Sequence, residues 1–344
     1  MLLCLLNFFQ HLILVMNTFG RIFKVSVYGE SHGSHIGITI DGVPAGIALN
    51  PEDFSIEISR RKSGSFATTP RIESDIPIIT SGVFNGNTTG TPLNIIFENK
   101  NKDSLKYSSE LYKKPRPGHT DFVSLHKYFG FADYRGSGHF SGRLTVALVA
   151  AGVVARKIFP CSIDTKIVEI GGKQDYQDLI NKVVEEGDSL GGVLETVITG
   201  VPIGLGEPFF DSVESLIGHI IFSIPGAKAI EFGAGFNSSK MLGSEYADSI
   251  INSDGITETN NCGGIIGGIT NGNSIIFRTA FHPPVSIRKK MQTFDFEKNT
   301  IDEIQTTGSH DSCYVLRVPP IIDACVSIVL ADLFLIRQSQ ILQK

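Results

Sequence analysis

Glycine most limits what this chain can become. Its 36 glycines are spread through 344 residues without a period. That excludes the every-third-residue repeat of a collagen helix and divides the chain into short elements joined by turns. Between the turns, 42% hydrophobic and 19% charged residues describe a folded, soluble, loop-rich α/β-type protein rather than a disordered one. The length allows one large domain or two ordinary ones. No internal repeat and no linker of boundary character divides it, so one domain over 16–344 is expected.

Several classes are disfavoured at once. A formal net charge of −5 argues against nucleic acid as a partner, because duplex binding shows as a basic excess. The cysteines, Cys4, Cys161, Cys262, Cys313 and Cys325, include no CxxC pair, so neither a zinc ribbon nor a redox pair is indicated, and isolated thiols suit a reducing compartment. Residues 1–15, MLLCLLNFFQHLILV, lack the basic start and small-residue cleavage site of a signal peptide and are too short to span a bilayer. They read as a non-native or disordered extension ahead of Met16. From Met16 onward no segment reads as membrane-spanning, and a cytoplasmic location is expected.

Periodicity predicts two strands in 20–43, where Ile36, Ile38 and Ile40 alternate. Asn50-Pro51-Glu52-Asp53 opens a helix that runs into Arg60-Arg61-Lys62 and stops by Gly64. Two more strands flank Asn85-Gly86-Asn87 in 76–98. Residues 99–118 read as a long mobile loop, of the kind that usually carries function. A buried helix over 142–158 follows. Residues 164–187 read as charged and helical, 191–201 as a strand, and Asp211-Ser212 as the cap of a helix through Phe222. A glycine- and asparagine-rich stretch (233–273) leads to a strand at 274–281, and 319–339 is a strongly apolar helix.

The nucleotide fingerprints are missing. There is no GxxxxGK[ST], and Gly233-Ala234-Gly235 and Gly136-Ser137-Gly138 lack the third glycine of a Rossmann turn. There is also no HExxH. What remains is histidine set in glycine and polar residues: His32 in Gly29-Glu30-Ser31-His32-Gly33, His119 in Arg116-Pro117-Gly118-His119-Thr120-Asp121, and His310 beside Asp311. Histidine exchanges protons near neutral pH, and a tuned carboxylate can do the same. His35, His126 and His219 are assigned to ordinary turn and surface roles. A Ser31–His32–Asp311 hydrolase is conceivable, but sequence spacing gives it no support. Basic residues at the edges of glycine-rich segments suit bidentate binding of carboxylate or phosphate. Arg116, tied into a Pro-Gly-His turn, is read as anion-binding, and Arg288-Lys289-Lys290 as a solvated face.

Taken together, Phe19-Gly20-Arg21, the Tyr28–Gly33 block and Asp41-Gly42-Val43-Pro44-Ala45-Gly46 resemble the opening of the chorismate synthase family. Arg60–Gly64, Thr89-Gly90-Thr91-Pro92, Arg116–Asp121, Asp133-Tyr134-Arg135-Gly136-Ser137-Gly138, Gly263–Ile269 and His310-Asp311-Ser312-Cys313 continue the resemblance in order and spacing, from residue 17 to about 340. It implies an α+β fold, a β-α-β sandwich with helices between two mostly antiparallel sheets, assembled as a homotetramer. It implies 1,4-anti elimination of phosphate from 5-enolpyruvylshikimate 3-phosphate to give chorismate, with reduced FMN required. By resemblance His32 protonates the departing phosphate, His119 protonates the reduced flavin, and Asp311 helps remove the ring proton, through flavin N5. Arg60, Arg61, Arg116, Arg135 and Arg143 are candidates for the anionic substrate. Arg61, His139, Phe140, Ser141, Gly226, Gly267, His282, Pro283, Pro284, Val285, Ser286 and Ser309 are carried over as cofactor-binding positions.

Departures from the family pattern fall on the cofactor side. His139-Phe140-Ser141 stands for Arg-Ser-Ser, His282 for a Lys, Ser309 for an Arg and Ser312 for a Pro. Ser65-Phe66-Ala67 lacks an Arg otherwise found after Gly64. No reductase module is evident, so an external flavin reductant, with NADPH acting indirectly, is expected. The competing classes are a flavin-binding protein without lyase activity and a hydrolase working through His-Asp chemistry.

Overall fold

The computed structural model describes residues 17–101, 110–306 and 310–340. Two antiparallel sheets enclose a layer of helices. The first runs β1 (Thr18–Phe19), β2 (Lys24–Gly29), β3 (His35–Asp41), β5 (Leu93–Glu98) and β4 (Ile78–Ser81) in spatial order. Its inner face follows from strand alternation: Ile36, Ile38 and Ile40 stand opposite Phe97, Ile95 and Leu93, and all six are fully buried. The second sheet is ordered β8 (Ala227–Phe232), β9 (Ile275–Phe281), β7 (Gly192–Thr199) and β6 (Ser162–Ile170). It contributes Leu194, Ile198, Ile275 and Phe277 to the core.

The longer helices are α1 (Ser55–Arg61), α2 (Asp121–Lys127), α3 (Thr145–Ile158), α4 (Gln177–Glu186), α5 (Val213–Ile221) and α6 (Pro319–Gln340). Helix α3 lies against the first sheet and α6 against the second, and the two pack on each other. A helix covered on every side has no polar face, which is why α3 reads as a run of Val and Ala and α6 as a run of Ile, Val, Leu and Ala. They approach closely because of Gly152, where a Cβ would fall within 3.0 Å of Ala324. This is the expected α+β sandwich.

The same packing accounts for the apolar character of the last helix. Helix α6 has the length and hydropathy of a membrane span, but 78% of its most apolar stretch is buried inside the fold. Its Asp332 is only 2% exposed and accepts the backbone N–H groups of Arg21, Ile22 and Phe23 at 2.9, 2.8 and 2.8 Å. The last helix thereby fixes the entry to β2.

Other expectations meet mixed outcomes. Ser212 caps α5, its Oγ accepting from Ser215 N–H at 3.1 Å. The charged segment at 164–187 is not one helix: β6 occupies 162–170 and α4 follows. Asp164 and Lys166 are exposed and alternate with the more buried Ile163, Thr165 and Ile167, the pattern of an edge strand with one wet face. Strand β8 and the hairpin β10 (Lys290–Asp295) to β11 (Thr300–Gln305) were not foreseen. Residues 102–109 of the loop at 99–118 and all of 1–15 lie outside the described residues; a short helical turn, Glu110–Lys113, occupies part of the rest of that loop. Cys161, Cys262, Cys313 and Cys325 are free thiols.

Candidate active site

Loops from both sheets and the ends of α3, α5 and α6 converge on a cavity of about 1090 Å³. In a chain of negative net charge, its wall holds seven Arg or Lys residues (Arg61, Lys62, Arg71, Arg116, Arg143, Lys228, Arg317) against three carboxylates (Glu73, Asp75, Asp311). His32, His119, Asp311, Arg61, Arg116 and Arg143, far apart in sequence, all line it.

His32 sits in the loop between β2 and β3 and is 5% exposed. Gly136 covers its ring: a Cβ there would fall within 3.0 Å of Cε1 and Nδ1. Beside it, Ser31 N–H donates to Gly138 C=O at 3.0 Å. Ser31 Oγ and C=O each accept from Arg71 at 3.0 Å, while Arg71 also donates to Glu73. The Gly29–Gly33 pentapeptide has the G-x-S-x-G spelling of a nucleophile elbow. That device needs a strand-to-helix turn, whereas this loop joins two antiparallel strands.

His119 is held from both sides. Nδ1 lies 2.8 Å from Asp121 Oδ1, its nearest partner, with Arg116 Nη2 at 3.0 Å and Asp121 N–H at 3.2 Å, and Nε2 lies 3.0 Å from Ser137 Oγ. The Asp121 N–H donates to Nδ1 while Asp121 Oδ1 lies against the same nitrogen, and the ring presents Nε2 on the Ser137 side. Burial would raise the Asp121 carboxyl, but hydrogen bonds from Arg116 and His119 override it and hold the group far below the ordinary carboxylate range. Arg116 grips Asp121 in bidentate fashion at 2.7 and 2.8 Å and donates to Ser286 at 3.0 Å. Its Nε, Nη1 and Nη2 groups thus each meet a protein partner, and the side chain also lines the cavity.

Asp311 Oδ1 accepts from Thr69 N–H at 2.9 Å and Oδ2 from Arg317 at 2.5 Å. Arg317 stands near two further buried cations. Arg61 donates to Thr145 Oγ1 at 2.9 Å and to Gly142 C=O at 2.9 Å. Arg143 donates to Asn99 at 3.1 Å and to Asp75, which it shares with Arg61. Burial is the largest influence on Arg61 and pushes it down to about 9; Asp75 opposes the shift, and Arg317 and Arg143 add to it. An arginine stays charged in proteins, so the direction records a buried cation with two others near it, a setting that a bound anion would relieve. Arg143 Nη2 is buried without a hydrogen-bond acceptor, and an orphaned charged donor of this kind is costly unless a ligand satisfies it.

The structure leaves some predicted residues away from the cavity. Arg60 points to the helix layer, where it pairs with Glu57 at 2.7 Å and Asp323 at 3.0 Å. Arg135 is held by Asp133 of its own loop at 2.8 Å. Neither lines the cavity, and nor do Gly267, Pro283 or Pro284, whereas His139, Phe140, Ser141, Gly226, His282, Val285 and Ser286 do. Ser309 lies outside the described residues. His139 Nδ1 meets Gly29 C=O at 2.9 Å. Gly226 faces Tyr314, whose hydroxyl would lie within 3.0 Å of a Cβ there.

Sequence reasoning passed over Arg71, Asp75, Arg317 and Tyr314, and set His219 aside although it lines the cavity. Arg71 carried a usable signal, an arginine next to Pro70 in an aperiodic loop, the same feature that singled out Arg116. His35 meets Ser34 and Tyr28, and His126 meets Phe122. Among the described residues no cluster of His, Cys, Asp and Glu suits a metal ion.

Comparison with known proteins converges on one family. A sequence model described as chorismate synthase matches residues 23–335. A chorismate synthase of Chitinophaga pinensis is 51% identical over 325 residues, covering 94% of this chain and 98% of its own. One of Pyrococcus abyssi is 41% identical over 348 residues, covering 93% and 98%. A solved structure titled as a crystal structure of chorismate synthase superposes with a TM-score of 0.70 at 27% identity, covering 93% of each chain.

Proposed function

The chain belongs to the chorismate synthase family and its reaction is the family's, loss of phosphate from 5-enolpyruvylshikimate 3-phosphate to give chorismate, and from that premise we propose that the 1090 Å³ cavity is where it occurs. The observation that carries this reading is the gathering of Arg61, Arg143 and Arg317, with the orphaned Arg143 Nη2, beside His32 and Asp311. Two carboxylates and a phosphate on one small molecule need such a cluster, and departing phosphate gains charge that fixed cations stabilise.

His32 is the proton donor to the departing phosphate. Its cover by Gly136 and the Arg71–Ser31 bonds keep the imidazole in one orientation. His119 is the second proton donor: Asp121 holds its ring at Nδ1, and Nε2 faces Ser137. Asp311 takes up the ring proton, and Arg317 fixes the carboxyl group in place.

Reduced FMN is the cofactor of this reading, and when bound it supplies electron density that assists loss of phosphate without net redox change. The residues fit it. The cavity is large enough for two small molecules, and His139, Phe140, Ser141, His282 and Ser286 share its wall with the catalytic trio. At Gly226 the absence of a side chain leaves room for Tyr314. The flavin is reduced by an outside system, with NADPH acting indirectly.

A cytoplasmic homotetramer, with the catalytic domain starting at Met16, completes the proposal. Free thiols support a reducing compartment, and Phe209, Phe210 and Phe236, all at least 80% exposed, support assembly. The deciding assay is anaerobic: purified protein, the phosphate ester and chemically reduced FMN. Chorismate absorbance with stoichiometric phosphate is expected. Its absence sinks the site reading, and phosphate release without flavin would point to a hydrolase.

A further inference from the structure

A second, smaller chamber of about 180 Å³ lies behind Asp311, lined by Pro70, Gly187, Asp188, Ser286, Arg288, His310 and neighbouring residues. His310, Asp311, Ser286 and Pro70 line both spaces, so the wall between the reaction cavity and this chamber is built around the His310–Asp311 pair. On its far side Asp188 is partly exposed and paired with Lys289 at 2.8 Å, close to bulk water.

The chemistry gives such a chamber a task. Each turnover breaks a ring C–H bond and the C–O bond to phosphate. The C–H electron pair becomes a new π bond, the ring π pair shifts, and the C–O pair leaves with phosphate, which takes a proton from His32. The proton from carbon ends on Asp311, and no oxidant or reductant is consumed. Before the next cycle Asp311 must lose that proton. Phosphate and product fill the cavity side, and Arg317, bonded to Asp311 at 2.5 Å, cannot accept a proton. The group next in line that can accept and release one near neutral pH is His310.

We propose that His310 is a proton-relay residue, passing the proton that Asp311 receives through the 180 Å³ chamber to solvent past Asp188. This rests on the assignment of Asp311 above. His310 does not touch the reacting atoms; it acts through Asp311. The chamber's wall of Asp188, Ser286 and Ser312 supplies the polar partners that a short water chain requires.

Chemical rescue tests it. The full chain is assayed anaerobically with reduced FMN at saturating substrate, as His310→Ala and as the size-conserving His310→Gln. Both are expected to lower kcat by about tenfold with KM little changed, and added imidazole to restore the rate of His310→Ala in a saturable, pH-dependent manner. A structural defect would not respond to imidazole. An unchanged kcat in either variant, or a loss that imidazole leaves untouched, overturns the relay. If His310→Ala does not fold, His310→Gln carries the test through its rate and an enlarged solvent deuterium isotope effect; a normal isotope effect counts against the relay. Asp311→Asn is measured alongside: full activity there removes the underlying assignment, whereas an inactive Asp311→Asn beside a normal His310→Gln removes only the relay.

Discussion

Gly136 lies so close against His32 that a Cβ on the glycine would fall within 3.0 Å of both Cε1 and Nδ1 of the imidazole. The glycine also holds φ at +53°, in the left-handed region that L side chains adopt at a cost of about 1–2 kcal/mol. Two independent constraints thus place a residue without a side chain over the proposed acid. Gly136→Ala should lower kcat by about a hundredfold or more by displacing His32, with a loss of about 1–3 kcal/mol in stability. Steady-state kinetics and thermal melting check it; wild-type kcat would mean that the orientation of His32 does not matter.

Asp121 links Arg116 and His119, and its removal should show in both activity and acid stability. Its folded carboxyl lies far below the ordinary value of about 3.9. Its contribution is therefore fully present above about pH 4 and lost only as pH falls through the folded value in strong acid. Asp121→Asn leaves Arg116 unpaired, so a loss of about 3–5 kcal/mol is expected at pH 7, together with a flatter dependence of stability on pH below about 4. Denaturant unfolding from pH 2 to 7 separates the two proteins.

Arg143 carries the orphaned donor of the cation cluster. Arg143→Met should raise the substrate KM by about tenfold to a hundredfold, the equivalent of one charged hydrogen bond. It should also weaken the protection that inorganic phosphate gives against thermal unfolding. Equal protection of wild type and variant would place the anion elsewhere.

Gly152 sits where α3 meets Ala324 of α6, remote from the chemistry. Gly152→Val forces apart two helices packed on every side, so a cost of about 1–3 kcal/mol or more is expected, read as a lower melting temperature. Catalytic constants of the protein that remains folded should stay near wild type.

The local grammar was legible. Alternation marked β3 and β5, the Ser212 cap marked α5, and the apolar runs marked α3 and α6, because these patterns are written in neighbouring residues. The edge strand β6 was misread because its charges suggested a helix surface, and the burial that distinguishes the two comes from β7 and the helix layer. At the site, the glycine-set motifs identified His32, His119 and Asp311, and all three share one cavity. The arginines divided for a reason no motif contains. Arg61 and Arg143 are buried together over Asp75, from another loop; Arg60 turns to Asp323, more than two hundred residues away; and Arg116 and Arg135 each close on a nearby carboxylate.

By itself, then, the sequence determined which side chains could exchange protons or bind anions, and which segments had to be strand, helix or turn, since those follow from residue chemistry and near-neighbour spacing. Only the tertiary structure decided which cations remain available to a ligand, that Gly136 covers His32, and that His310 stands between two chambers. Those outcomes depend on which distant carboxylate or ring each group meets, and long-range packing alone sets that.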